Sequence, residues 1–376
     1  MTPSSPRLNE LQLAALAREL DAIEAEARAD LGEADLAHIR RVMRVAFVAE
    51  VAGRGLLAFG VDPLSFVLGT GALTLSKILE NMEIGHNVMH GQYDWSRDPE
   101  LDSRAYEWDI VSPSASWRHA HNFEHHTYTN VLGRDRDLGY NLVRVSAEQP
   151  WNPGYLVQPL TALGLGLFFE WGVALHDLRL EELRSGESSP REVWARARPF
   201  LRKAGWQLGK DYVFFPLLAG PNAPRVLLGN HLANLGRNLW AFAVIFCGHF
   251  PEGAEVFPEA DLEDESRGHW YLRQLTGSAN IEGGRAMHLL SGHLSHQIEH
   301  HLFPTVPAWR YPEMARKVRE VCARWGLPYN TAPLGTQLRS VARKLLRHAL
   351  PTRPRRPEPE PTAAEAPTPA RPPIAA

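Results

Sequence analysis

Residues 119–130 read HAHNFEHHTYTN, and four histidines fall within eight positions: His119, His121, His125 and His126. On a helix, His121 and His125 stand one turn apart on one face, with His126 at its edge. Imidazole is neutral near pH 7 and offers a nitrogen lone pair, so such a cluster is costly to bury without a partner. A transition metal is its usual partner. Taken alone, the stretch is also compatible with a histidine-rich polar patch.

Two further stretches extend the pattern. Residues 86–90 read HNVMH, which sets His86 and His90 at the same one-turn spacing. Residues 293–304 read HLSHQIEHHLFP and carry His293, His296, Gln297, His300 and His301. More than half of the chain's 17 histidines lie in these three boxes, and two boxes contain a His-His pair. Random scatter does not produce this. The pattern points to a two-metal site with an almost entirely nitrogen ligand set. Imidazole suits iron, copper, zinc and nickel, and disfavours magnesium and calcium.

Composition narrows the frame. A chain of 376 residues is long enough for a large core, as one big domain or two. A net charge of −3 implies no general affinity for nucleic acid. Two cysteines, Cys247 and Cys322, exclude a disulfide scaffold and a cysteine-ligated iron–sulfur cluster. The start, MTPSSPRLNE, has no basic segment followed by an apolar run, so no secretory signal is expected. Mean hydropathy is −0.28, which leaves room for a few membrane spans beneath a polar cap.

Taken in order, residues 8–41 read as a polar helical region with Leu8, Leu11, Leu16, Leu20 and Ile23 near helical spacing. Residues 45–60 and 63–79 form an apolar hairpin about the turn Gly60–Pro63, although Glu50, Arg54 and Lys77 interrupt it. Each arm is short for a span of about 20 residues. Residues 206–221 and 225–248 form a second apolar pair, and its second arm ends at His249. Between the hairpins lie the largely uncharged run from Trp151 and an arginine-rich segment, 176–203. Asp135 and Asp137 could steady ligand histidines through their second ring nitrogen, or could be solvated loop charges. His38, His176, His231, His269, His288 and His348 read as structural. Residues 351–376 are proline-rich and expected to be disordered.

Charge sets the expected topology. Arg/Lys-rich segments stay on the cytoplasmic side, which places 176–203 and the region after 310 there. The three boxes must meet at one site, so they share that side. Two hairpins, 45–80 and 206–248, give four crossings, and 151–175 is expected to lie at the membrane interface. His249 then emerges beside the boxes.

With HNVMH, HNFEHHTYTN and QIEHHLFP in place, the chain resembles the membrane fatty acid desaturases over roughly residues 40–345. It is most similar to the front-end and bacterial acyl-CoA or acyl-lipid branch. WYLRQLTGSANI and GLPYN also look like the bacterial members. The resemblance implies an all-α integral membrane fold with about four transmembrane helices and a cytoplasmic helical cap. The corresponding division is an N-terminal helical region at 1–40, a desaturase domain at 41–345 and a disordered tail at 346–376. It further implies a non-haem centre of two iron ions with dioxygen as co-substrate. The implied ligands are His86, His90, His121, His125, His126, His249, Gln297, His300 and His301. In related desaturases the third box opens with histidine where this chain has Gln297; His296, one turn before His300, is the alternative. His293 stands where asparagine is expected, and His119 is left off the ligand set.

The resemblance implies insertion of a cis double bond into a fatty acyl chain, with the cofactor supplying the difficult chemistry. The chain shows no flavin fold and no His-Pro-Gly-Gly haem motif, so a separate ferredoxin or b-type cytochrome with its reductase is expected as electron donor. The expected location is a bacterial inner membrane, in contact with membrane lipid, with the site on the cytoplasmic side. The nearest alternative is a di-iron hydroxylase or other monooxygenase on the same scaffold. A zinc hydrolase is disfavoured because seven or more histidines exceed one zinc's needs, and a metal store is the remaining non-enzymatic alternative.

Overall fold

The computed structural model describes residues 8–352. The proline-rich tail from 353 onward lies outside the described residues. The chain is mostly helical, in line with the all-α expectation. A pair of three-residue parallel strands, β1 (Asn280–Glu282) and β2 (Thr331–Pro333), is a feature the sequence reading omitted.

Helix α1 (Glu10–Ala29) starts at a capping box in which Asn9 and Gln12 satisfy each other's backbone N–H. Its Leu13, Leu16, Leu20 and Ile23 are buried, whereas Leu11 faces outward. Helix α2 runs from Glu33 to Phe59, well ahead of the expected apolar arm at 45–60, so position 41 falls inside a helix. Its start is fixed by Asp35, which accepts from the Gly32 N–H and is gripped by Arg310 and Trp309. Helix α3 (Pro63–Ile78) begins at an Asp62 cap with Pro63 in the first turn. Gly53 and Gly69 let α2 and α3 touch: a Cβ on Gly53 would lie 2.8 Å from the Leu73 nitrogen and 2.9 Å from the Gly69 oxygen.

Helix α4 spans residues 114–128. Helices α5 (Gln158–Leu167) and α6 (Phe169–His176) meet at a sharp break, and α7 is Pro190–Gly209. The long α8 (Ala223–His249) is central and packs against α2, α3, α5 and α6. The cap comprises α9 (Arg267–Gly277), α10 (Gln297–Leu302), α11 (Tyr311–Trp325) and α12 (Leu334–Ala349). One apolar core surrounds the His249 end of α8 and includes Met82, Val244, Phe246 and Leu294. A second joins α1, α9, α10 and α11 through Leu16, Leu20, Tyr271, Leu302, Phe303 and Val318.

Among the described residues no single helix is long and apolar enough to cross a membrane; only the bent pair Pro153–Leu167 and Phe169–Leu183, folded by 100°, passes together. The two hairpins also carry charges, and most of these pair inside the bundle. Lys77 meets Asp211 at 2.8 Å, Arg54 meets Glu50 at 2.8 Å and Asp211 at 3.4 Å, and Arg237 pairs with Glu170. The outside is the apolar face: Phe47, Val51, Phe59, Leu64, Val67, Leu160, Trp206, Leu217 and Leu228 are all exposed.

Candidate metal centre

The first two boxes are carried by π-helical turns. Helix α3 passes into one at Leu79–His86, and α4 contains the other at Arg118–His125. A π turn widens the helix and recurs at functional sites. The third box is the short α10, whose residues from Gln297 to Leu302 are all buried.

These elements converge into two groups. His86, His90, His121 and His300 bring ring nitrogens within 4.8 Å of one another, and so do His125, His249 and His301. The groups touch through His121 and His125, whose rings stack at 5.0 Å. His126 belongs to neither tight group and stands between them. Its ring lies 4.7 Å from those of His90 and His300 and 4.4 Å from that of His301. Gln297 lies beside His249, with its amide nitrogen 3.0 Å from Nε2. All nine residues singled out from the sequence therefore meet in one buried place.

The others do not. His296 turns away from the centre, its ring 4.6 Å from that of His288. His293 pairs with Glu83 at 2.8 Å, and the other Glu83 oxygen takes His38 at 2.9 Å. His293 thereby ties the third box to α2 and to the turn bearing the first box. His119 is exposed and stacks on Phe123. His231 faces outward against Tyr212.

The outer nitrogens of several rings are held in place. Asp135 lies 3.0 Å from Nδ1 of His125, and Asp137 lies 3.3 Å from Nδ1 of His121. Nδ1 of His301 meets Gln274 at 3.0 Å and Thr129 at 3.2 Å. The solvated-loop reading of the two aspartates is thus set aside: Asp135 is buried and also accepts from the Asn130 N–H. Thr129 lies in the second box and Gln274 in the stretch WYLRQLTGSANI, but neither was singled out as a site residue, because nothing in the sequence shows that they meet at His301. Trp117, which stacks on His121 at 4.4 Å, was likewise unmarked as a site residue.

The inner donor atoms have no hydrogen-bond partner among the described residues. They include Nε2 of His90, His121, His125, His300 and His301, both nitrogens of His126, Nδ1 of His249, and Oε1 of Gln297. Buried polar atoms are ordinarily satisfied, and this many aimed at one place is a donor set for metal. Burial pushes His90, His121, His126, His300 and His301 well below the usual imidazole range, and His86 down to about 4. They are held neutral, with lone pairs free. Burial also acts to lower His125, but the Asp135 carboxylate outweighs it and the net shift is upward. This donor set fits iron, zinc or copper and does not fit magnesium or calcium.

A narrow cavity opens against both groups. His86, His121, His249 and Gln297 form its chemical end, and Met82, Phe169, Val173, Ala241 and Ile245 line its walls. A narrow apolar cavity ending on a metal-type donor set suits an extended hydrocarbon.

The fatty acid desaturase family model matches residues 62–333. The chain is 45% identical over 348 residues to an NADPH-dependent stearoyl-CoA 9-desaturase of Mycobacterium tuberculosis, covering 92% of this chain and 82% of that protein. It is 29% identical over 280 residues to an sn-1 linoleoyl-lipid 6-desaturase of Synechocystis, covering 71% and 76% of the two chains. It is also 26% identical over 244 residues to human fatty acid desaturase 3, covering 62% and 50%.

Proposed function

The chain belongs to the fatty acid desaturase family and is a desaturase enzyme, and from that premise we propose that it inserts a cis double bond into a saturated acyl-CoA chain at a pair of iron ions. His86, His90, His121 and His300 would hold one ion. His125, His249 and His301 would hold the other, with Gln297 beside it and His126 between the two. The carrying observation is the convergence of these unpartnered inner nitrogens on the closed end of the apolar cavity. The ions would supply dioxygen-dependent removal of hydrogen from two adjacent methylenes.

The protein's own residues do the rest. Asp135, Asp137, Gln274 and Thr129 fix ring orientation. Trp117 and Met82 help keep the reacting end dry. The cavity walls hold the chain extended across the two histidine groups, so that only one pair of carbons can react. An acyl-CoA substrate is supported by the mycobacterial relative's printed activity. That relative's NADPH dependence is compatible with a separate reductase working through a ferredoxin or a b-type cytochrome.

The exposed apolar faces of α2, α3 and α8, with their charges paired inward, support a bundle set in a bacterial inner membrane with the cap on the cytoplasmic side. The hairpins 45–80 and 206–248 supply the four crossings. The desaturase domain is 41–345, following the N-terminal helical region.

The test is the fatty-acid profile of host membranes carrying the chain with a ferredoxin–reductase pair. Double bonds are located by mass spectrometry, with His125→Ala as control and iron measured per purified chain. A new unsaturated acid that is absent in the control, with two irons per chain, is expected. A hydroxylated product would move the activity to monooxygenation, and an iron-free active protein would remove the di-iron reading.

A further inference from the structure

The cavity that ends on the histidines runs back along α8 from His249 through Ile245 and Ala241 to Asn238. The stretch from Asn238 to His249 spans roughly 16 Å of helix axis. Over that length the wall is mostly apolar, although Asn81 and Tyr140 also line it. At its far end it changes character abruptly, because Glu170 and Asn238 line it there. Glu170 is buried and pairs with the buried Arg237, and its second oxygen accepts the Val111 N–H at 3.3 Å. The Arg237 guanidinium also donates to Oδ1 of Asn238 at 3.0 Å. The Asn238 amide in turn donates to the Leu167 carbonyl at 3.0 Å, at the break between α5 and α6. Beyond this cluster lies a second, smaller cavity, lined by Glu170, Trp171, Gln207, Asp211, Tyr212 and Asn234. Glu170 faces both cavities and so forms part of the wall between them.

We propose that the Glu170–Arg237–Asn238 cluster is the stop that sets how much acyl chain beyond the reacting carbons the enzyme accepts. The proposal rests on the acyl-chain reading of the cavity given above. A methyl terminus gains from the apolar wall and gains nothing from an ion pair whose charges already engage each other. The pair cannot swing aside, because Val111 and Asn238 hold its two halves, and opening it in an apolar interior leaves two charges unpaired. A chain too long for the cavity must therefore withdraw its reacting carbons from the histidines. One methylene too many or too few in an apolar pocket is worth roughly 10- to 200-fold in discrimination.

The experiment expresses the full chain in host membranes with an electron-donor pair and feeds saturated acids from myristic to behenic. It reads the unsaturated fraction at each length and the double-bond position. Two variants are compared with the parent. Glu170→Ala/Arg237→Ala removes both charges at once and joins the two cavities. Ala241→Phe fills the cavity one turn nearer the histidines, and it decides the matter if the double variant does not accumulate. The double variant is expected to raise conversion of chains longer than the parent's optimum at least about tenfold relative to the optimum, and Ala241→Phe to move the optimum to shorter chains. In both, the double bond keeps its position counted from the carboxyl end. An unchanged length profile in an accumulated variant overturns the proposal. Absence of any desaturation by the parent overturns the acyl-chain reading, and the proposal with it.

Discussion

Both carboxylate oxygens of Asp135 lie 3.0 Å from Nδ1 of His125, while Nε2 of the same ring faces the buried histidine centre without a partner. The carboxylate fixes which nitrogen carries the proton and keeps the inner nitrogen basic. Asp135→Asn keeps the shape and removes the charge. It is expected to lower iron affinity or turnover roughly 10- to 100-fold, measured as iron per chain after dialysis against a chelator and as desaturation in membranes. Full iron retention and turnover would show that Asp135 serves the fold alone.

Gly248 is the residue that lets Gln297 reach His249. A Cβ at Gly248 would lie 2.9 Å from Cγ of Gln297 and 3.0 Å from its Oε1. Gly248→Ala therefore displaces the carboxamide although Gly248 carries no donor atom of its own, at an overpacking cost of about 1–3 kcal/mol. Gln297→Ala removes the same group directly. The two changes act on one contact, so the double variant is expected to lose no more activity than the worse single variant. Additive losses in a double-mutant cycle would mean that Gly248 acts elsewhere.

The boxes were legible because chemistry and helical spacing coincide in them, whereas Asp135 and Asp137 stayed open between ligand support and solvated loop charges until the fold placed them against His125 and His121. The division into two groups was not legible. His300 joins His86, His90 and His121, while its neighbour His301 joins His125 and His249; adjacent residues on a helix point to different sides, and only packing decides where each side leads. The choice between Gln297 and His296 is of the same kind. Lys77 and Asp211, 134 positions apart, neutralise one another in the fold. A composition window sees each charge alone. The floor of the cavity was invisible for that reason too: Glu170 and Arg237 sit in separate segments, and each reads as an interruption of an apolar run.

Glu83 is fully buried and bridges His38 on α2 to His293 before the third box. Taking away the carboxylate leaves two histidines facing a void in which each has lost its partner. Glu83→Ala is expected to cost about 3–5 kcal/mol of stability, as for other broken buried pairs, and Glu83→Gln less because it preserves a hydrogen bond. Thermal melting of the purified proteins in one detergent checks the order. A melting point unchanged in Glu83→Ala would show that the bridge contributes nothing to the fold.

Lys344 on α12 gives a pH signature remote from the histidines. Its Nζ donates to the carbonyl oxygens of Pro251 at 3.3 Å and Ala254 at 3.4 Å, and burial depresses its pKa from 10.5 to about 8 against a partial counter-effect of Glu252. Between those values the unfolded chain binds a proton that the folded chain does not, so stability rises with pH across the window. The full change amounts to about 3 kcal/mol. Below pH 8 the folded chain carries the buried charge and bears its cost. Lys344→Met abolishes both the cost and the slope. The stability of the parent relative to Lys344→Met is therefore expected to climb from pH 8 to 10.5, followed by thermal melting at matched pH so that other titrations cancel. A difference that stays flat through that window would mean that Lys344 keeps its proton, with water reaching it in the folded protein.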